Sequence, residues 1–164
     1  MEKFLEKVEE YNIFNNLLPG IIFTYLLKYY IGIDIFQNNI LEMVFIYYFI
    51  GATISRIGSV VLEEILKKTG FIKYSDKKDY IEATKQDKII EKLLMNNNMY
   101  RTICSAFIVL LVLKIVKAII DYYNFSRNIA FTGIIIIGAI LYLFAYRKQT
   151  KQIKDRVESV NSKK

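Results

Sequence analysis

Charged side chains are segregated along this chain, and their segregation constrains the fold more than any other feature. The stretch 128-NIAFTGIIIIGAILYLFAY-146 carries no Asp, Glu, Lys or Arg, and neither does 102–113 or 43–55. Charged residues nevertheless make up 24% of the 164 residues, in a chain that is 54% hydrophobic. A helix needs about 20 predominantly apolar residues to cross ~30 Å of hydrocarbon. The pattern therefore predicts an integral membrane protein whose spanning segments are helices.

Four segments fit this length, and they predict an all-α membrane bundle of four transmembrane helices in a single domain. The spans are expected at 13–33, 40–61, 102–120 and 128–146. The first is the weakest, because it contains Pro19 near its start and Lys28 near its end. A long lysine side chain close to the end of a span can reach the interface, so Lys28 does not exclude the assignment.

Lysine and arginine residues predict the orientation of these spans. Nine lie in the segment 62–101 and seven in the tail 147–164, whereas 34–39 holds none and 121–128 holds only Arg127. The cytoplasmic loops of membrane proteins carry an excess of Lys and Arg. We therefore expect both termini to lie in the cytoplasm and the chain to form two helical hairpins joined by a cytoplasmic connector at 62–101.

The cytoplasmic parts are predicted to be helical as well. An amphipathic helix is expected at 4–11, where it could lie on the membrane surface. In the connector, one helix is expected to continue to a C-cap at Gly70, a second to start after Ser75, and a third to follow Asp87. No Pro or Gly interrupts the third helix, so it is expected to run directly into the third span.

A polar cluster is predicted where the connector meets the membrane. On a continuous helix Asn97 and Arg101 are one turn apart, and three asparagines in succession cost helix stability unless their amides find partners. One interpretation is therefore a cluster between helices. The other is a set of ordinary solvated interfacial residues, with Arg56 extending to lipid phosphates. The candidate residues are Arg56, Glu63, Glu64, Asn97, Asn98 and Arg101.

A face of small residues is predicted to pack against another helix. Gly51, Ser55 and Ser59 recur every four residues in 51-GATISRIGS-59. Small residues at this spacing let membrane helices approach closely. The face is a candidate both for packing and for self-association into an oligomer.

A second charged group is predicted at the opposite end of the spans. Lys114, Lys117 and Asp121 share one helix face, at i, i+3 and i+7. The group is interpreted either as structural ion pairing or as the lining of a path for an ion or ligand. Its candidate members are Lys28, Asp34, Glu42, Lys114, Lys117 and Asp121.

The residue types of the common catalytic sites are missing from the sequence. With no histidine and one cysteine, the usual zinc, Cys/His and Ser/His/Asp sites cannot be assembled. An intramembrane enzyme would need paired catalytic groups at depth, but the acidic residues cluster near the ends of the spans. We therefore predict no enzyme, no catalytic, cofactor-binding or metal-ligating residue, and no cofactor. The net charge of +7 is attributed to membrane topology, and no nucleic-acid partner is expected.

The stretch SRIGSVVLEEILKKTGFIKYSDKKDYIEATKQDKIIEKLLMNNNMYRT, from Ser55 to Thr102, contains the motifs R-I-G-S and N-x-Y-R-T. It resembles the connector of small, mostly uncharacterised bacterial four-helix membrane proteins, some of which are associated with phage-defence loci. The resemblance implies a membrane-embedded effector or accessory component, and it assigns no catalytic residue.

Two functions of different class are expected from these features. In the first, a non-enzymatic effector perturbs the inner membrane when a cytoplasmic protein or signal engages its connector. In the second, the chain is an accessory or structural subunit or a small ion transporter. Transport would need a polar stripe through the bilayer midplane, and 44–51 and 107–113 are apolar apart from Tyr47 and Tyr48. The expected partners are the lipid bilayer, further copies of the chain, and a cytoplasmic protein or signal.

Overall fold

Every regular element that the structure describes is a helix, which confirms the all-α prediction. The structure is a computed structural model, and it describes residues 13–36, 38–87 and 89–161. The predicted amphipathic helix at 4–11 lies outside these residues. The elements are α1 (13–31, an α-helix Leu18–Leu26 between π-helical turns Ile13–Leu17 and Leu27–Ile31), α2 (Ile40–Lys68, with a π-helical turn at Gly58–Leu62), α3 (Lys77–Gln86), α4 (Ile89–Tyr123) and α5 (Arg127–Asn161).

Three of these helices, α2, α4 and α5, are long and apolar enough to cross a membrane. They contain the predicted spans 40–61, 102–120 and 128–146, and α1 is not among them. In α5, 6% of the most apolar stretch is buried inside the protein, against 28% in α2. Such an extensive exposed apolar surface is unfavourable in water. The chain is therefore a membrane protein with three helices that could cross the bilayer.

Two glycines let α1 and α2 touch through their backbones. A Cβ atom added at Gly20 would overlap the carbonyl oxygen of Tyr47, and one added at Gly51 would overlap the carbonyl oxygen of Asn16. Membrane helices approach most closely where small residues form the contact, because dispersion contacts between backbones then replace contacts with lipid. The position of α1 on α2 therefore depends on Gly20 and Gly51.

Helix α4 completes the core by packing against both α1 and α2. A Cβ atom at Gly58 would lie 2.5 Å from Ser105 Oγ, so a second close approach joins α2 to α4. Thr102 and Ser105 are buried here, and each hydroxyl donates to the carbonyl four residues earlier, over 2.8 Å. These small polar residues thus enter the interface without losing hydrogen bonds. The buried apolar cluster consists of Phe23, Leu27, Ile31, Ile54, Ala106 and Leu110.

The connector folds largely as predicted. Helix α2 ends at Lys68, and Gly70 follows in the left-handed region at φ 74°. Helix α3 begins at Lys77, and Asp87 then accepts a hydrogen bond of 2.8 Å from the Ile89 amide at the start of α4. Helix α4 continues for 35 residues, so the prediction of one helix running from the connector into the third span is confirmed.

Replacing Gly51 tests the close approach of α1 and α2. We expect Gly51→Ala to lower the free energy of unfolding by about 1–3 kcal/mol or more, because the new methyl group would overlap the Asn16 carbonyl. Gly138→Ala is the matched control, since nothing lies within 4 Å of that position. It should raise stability by up to about 1 kcal/mol through helix propensity. Unfolding of both variants in detergent by SDS titration measures the difference, and equal stability would contradict the packing described.

Candidate functional site

A buried carboxylate lies where the connector begins. Glu63 directly follows the π-helical turn Gly58–Leu62, at the end of the apolar part of α2, and its side chain is 9% exposed. A π-helical turn winds more widely than an α-helical turn, so it redirects the side chains that follow it. Glu63 consequently meets three cations, with Lys67 Nζ at 2.7 Å, Arg101 Nη1 at 2.7 Å and Lys148 Nζ at 3.2 Å.

These four residues, which we call the Glu63 cluster, join three helices. Lys67 belongs to α2 itself, Arg101 to α4 and Lys148 to α5. Lys148 also donates to the Ser59 carbonyl over 2.5 Å and to Glu64 over 3.2 Å. A single carboxylate therefore ties α5 to the junction of α2 and α4.

The surrounding charges keep Glu63 ionised. Burial raises the pKa of its carboxyl group, but the hydrogen bond from Lys67 and the charges of Lys148, Lys67 and Arg101 outweigh burial and hold the pKa below its ordinary value. A buried ion pair costs desolvation unless the remaining polar atoms are well bonded. Here both carboxylate oxygens accept hydrogen bonds. The site is therefore a charged one at neutral pH.

Three of the residues predicted for the inner cluster come together in the structure. Glu63, Glu64 and Arg101 lie within the same set of contacts. Asn97 is exposed one turn before Arg101, and the Asn98 carbonyl accepts from the Thr102 hydroxyl over 2.8 Å. These two asparagines therefore flank the charged contacts on α4.

Arg56 lies apart from this set. Its side chain is exposed, and it makes no hydrogen bond or ion pair within residues 13–36, 38–87 and 89–161. Its neighbour Ser55 is buried instead. The face of α2 that carries Arg56 thus points away from α4.

Sequence reasoning missed two members of the Glu63 cluster. Lys67 has a local signal, because a Glu and a Lys four residues apart pair on a helix. Lys148 has no local signal, since its partner Glu63 is far away in the sequence and the two meet only through the packing of α5.

The predicted small face packs within the chain. Gly51 and Ser55 are buried, and Ser59 contributes its carbonyl oxygen to Lys148. A close approach of α2 to α4 occurs at Gly58, which is not part of the predicted face of Gly51, Ser55 and Ser59.

The predicted outer charged group divides into separate contacts. Lys28 pairs with Asp34 at 2.9 Å, while Lys114 and Lys117 donate to the carbonyls of Tyr30 and Ile31 over 3.0 and 2.8 Å. The last carbonyls of a helix lack partners in their own helix, so these two lysines cap the C-terminal end of α1. The two remaining acids lie elsewhere: Glu42 accepts from the Asn39 side chain, and Asp121 is exposed and makes no ion pair in the part of the chain described.

A cavity of about 340 Å³ opens beside the Glu63 cluster, between the 69–74 turn and α4. Its polar lining comes from Glu63, Lys73, Tyr74, Asn97, Tyr100 and Arg101. Among the described residues no group of three His, Cys, Asp or Glu side chains is placed to hold a metal ion.

The fold and the site define an all-helical membrane protein whose charges gather where the connector joins the spanning helices. Comparison of the chain with protein-family models, with curated proteins and with solved structures finds no match. Function is therefore inferred from the contacts of the chain itself.

Neutralising Glu63 tests whether its carboxylate holds the three helices together. We expect Glu63→Gln to lower the free energy of unfolding by about 3–5 kcal/mol, because it leaves partly buried cations without their counter-charge. Glu64→Gln should cost less than about 1 kcal/mol, since that side chain is 48% exposed. SDS titration in detergent compares the two variants. Losses of similar size would show that Glu63 has no special structural role.

Proposed function

We propose that the protein is a non-enzymatic, membrane-embedded effector of the bacterial inner membrane, which perturbs the membrane when a cytoplasmic partner or signal engages the connector 62–101. The observation that carries the proposal is the Glu63 cluster. Glu63 stands at the first turn of the connector and Arg101 at its last residue, and the two are bonded at 2.7 Å. Lys148 brings α5 to the same carboxylate at 3.2 Å.

The arrangement gives the connector a direct mechanical route to the spanning helices. A partner that displaces either end of the connector pulls on the Glu63–Arg101 pair, and the same carboxylate holds Lys148. Loss of these contacts would leave α5 with few others, such as the bond between Thr53 Oγ1 and Tyr142 OH at 3.0 Å. Segments with few buried contacts change their packing at low cost. Helix α5 is therefore the element that we assign to the perturbing movement.

The topology in the proposal has four spans, with both termini and the connector in the cytoplasm. Helix α1 is about 28 Å long at ~1.5 Å per residue, close to the thickness of the hydrocarbon. Its buried face, including Phe23 and Ile31, packs into the core beside Leu110 of α4, which supports a position at the same depth. The Lys and Arg residues of the connector and tail support the orientation.

Cysteine labelling tests this topology. In a Cys104→Ser background, Ser126→Cys should react with a membrane-impermeant maleimide in intact cells, and Phe71→Cys should react only after permeabilisation. We expect Glu2→Cys to behave like Phe71→Cys, because a fourth crossing by α1 returns the N terminus to the cytoplasm. Labelling at position 2 in intact cells would instead place the N terminus outside the cytoplasm, which corresponds to three membrane crossings.

Phage defence is the biological setting that the resemblance in 55–102 suggests for this effector. The alternative of an ion transporter gains no support from the outer group, because Lys114 and Lys117 are occupied with carbonyls of α1. An accessory subunit would share the connector and its partner, but would not perturb the membrane by itself.

Membrane potential after induced expression tests the effector function. If the Glu63 cluster holds the resting packing of α5, Glu63→Gln and Arg101→Gln should depolarise cells and slow growth without any partner. The natural protein and Glu158→Gln should not, since Glu158 is an exposed tail residue that pairs with Lys154 at 3.7 Å, away from the Glu63 cluster. A potential-sensitive dye and growth curves, at matched membrane levels, measure the effect. The proposal would be overturned if Glu63→Gln and Arg101→Gln reached the membrane at the level of the natural protein and left membrane potential and growth unchanged.

A further inference from the structure

The cavity beside the Glu63 cluster has the lining of an anion site. Four of its polar residues present hydrogen-bond donors of different kinds: the Lys73 ammonium, the Asn97 amide, the Tyr100 hydroxyl and the Arg101 guanidinium. Leu62 and Ile72 add an apolar wall. A ligand that fits must accept several hydrogen bonds at one end and tolerate apolar contact at the other.

Among the residues that the structure describes, the charges around the cavity do not balance. Lys67, Arg101 and Lys148 exceed the two carboxylates of Glu63 and Glu64 by one positive charge, and Lys73 on the cavity wall adds another. The Glu63 carboxylate is already committed to three cations. The described residues around the cavity therefore carry an excess of positive charge, which favours an anionic ligand.

Two of the cations have hydrogen bonds to spare. Arg101 donates to Glu63 through Nη1, while its Nε is buried without a hydrogen-bond acceptor. Lys73 is exposed, and within the described ranges it forms no ion pair. The Arg101 Nε has no surface open to the cavity, but the Arg101 side chain as a whole is 19% exposed and lines the cavity, so part of it faces a ligand there together with Lys73.

The position of the cavity favours a phosphate group as the anionic ligand. The cavity lies where the apolar stretches of α2 and α4 end and their charged ends begin, which is the level of lipid phosphates. Phe71, in the turn that forms one wall, is 81% exposed, an arrangement suited to an interfacial aromatic residue. Arginine and lysine at such a level are typical phosphate ligands.

We infer that this cavity binds a phosphate group, provided by the headgroup of an anionic phospholipid or by a soluble phosphate compound. Lys73 and Arg101 contact the phosphate oxygens, and Asn97 and Tyr100 donate from the wall of α4. The inference needs the site to lie at the membrane boundary, but it does not need the perturbing activity. It is therefore tested on purified protein, separately from the effect on membrane potential.

The test compares variants that remove one hydrogen-bond donor from the cavity with control variants that remove the same type of side chain outside the cavity. Lys73→Gln is matched by Lys68→Gln, and Asn97→Ala by Asn96→Ala, because Lys68 and Asn96 are exposed and do not line the cavity. Each full-length protein is placed in phosphatidylcholine nanodiscs with or without phosphatidylglycerol. Retained lipid is counted by native mass spectrometry, and melting is followed with and without inorganic phosphate.

Selective loss in the cavity variants supports the site and identifies the source. We expect Lys73→Gln to weaken phosphatidylglycerol binding about tenfold or more, as for a lost charge-assisted hydrogen bond, with a smaller loss for Asn97→Ala and none for the two controls. If inorganic phosphate raises the melting temperature in a Lys73-dependent way and phosphatidylglycerol is not selected, the source is soluble phosphate. Equal binding of both probes by Lys73→Gln and Lys68→Gln, or no binding by the natural protein, would overturn the inference.

Discussion

The ionised carboxylate of Glu63 sits 9% exposed at the border of an apolar bundle, and it stays there because Lys67, Arg101 and Lys148 surround it. Moving a carboxylate out of water costs on the order of several kcal/mol per ion. Only close and well-bonded counter-charges offset this desolvation cost. The contacts therefore depend on one another: each cation lowers the cost of burying Glu63, and Glu63 in turn fixes each cation. Through Arg101 and Lys148 this mutual dependence extends to α4 and α5, so the junction of three helices follows from one charged group.

That junction is possible because the helices meet at small residues. Gly20 and Gly51 bring α1 onto α2, and Gly58 brings α2 onto α4 beside Ser105. Gly58 also opens the π-helical turn that precedes Glu63, so close packing and the direction of the carboxylate arise from the same short segment. The buried hydroxyls bond to their own helices, which leaves the apolar contacts of the core undisturbed.

The helical class, the cap at Asp87 and the continuous α4 could all be predicted from the sequence, because charge segregation, caps and breakers act locally. The clustering of Glu63, Glu64 and Arg101 was also accessible, since residues at one depth of neighbouring helices tend to meet. Arg56 was grouped with them because it was expected at the same inner boundary, and on a regular helix residues 56 and 63 would also share a face. The π-helical turn Gly58–Leu62 changes that phase, so Glu63 turns toward α4 while Arg56 stays exposed. Neither this turn nor the long-range contact of Lys148 has a local signature.

Helix α5 continues for 35 residues, about 52 Å at ~1.5 Å per residue, whereas the hydrocarbon that it could cross is ~30 Å thick. From Lys148 to Asn161 it extends about 20 Å beyond its attachment to Glu63. A stiff rod held near its middle behaves as a lever arm. A tilt of about 10° at the Lys148 contact moves the tip of the tail by roughly 3 Å. Conversely, a force applied to the tail would tilt the part of α5 that precedes Lys148.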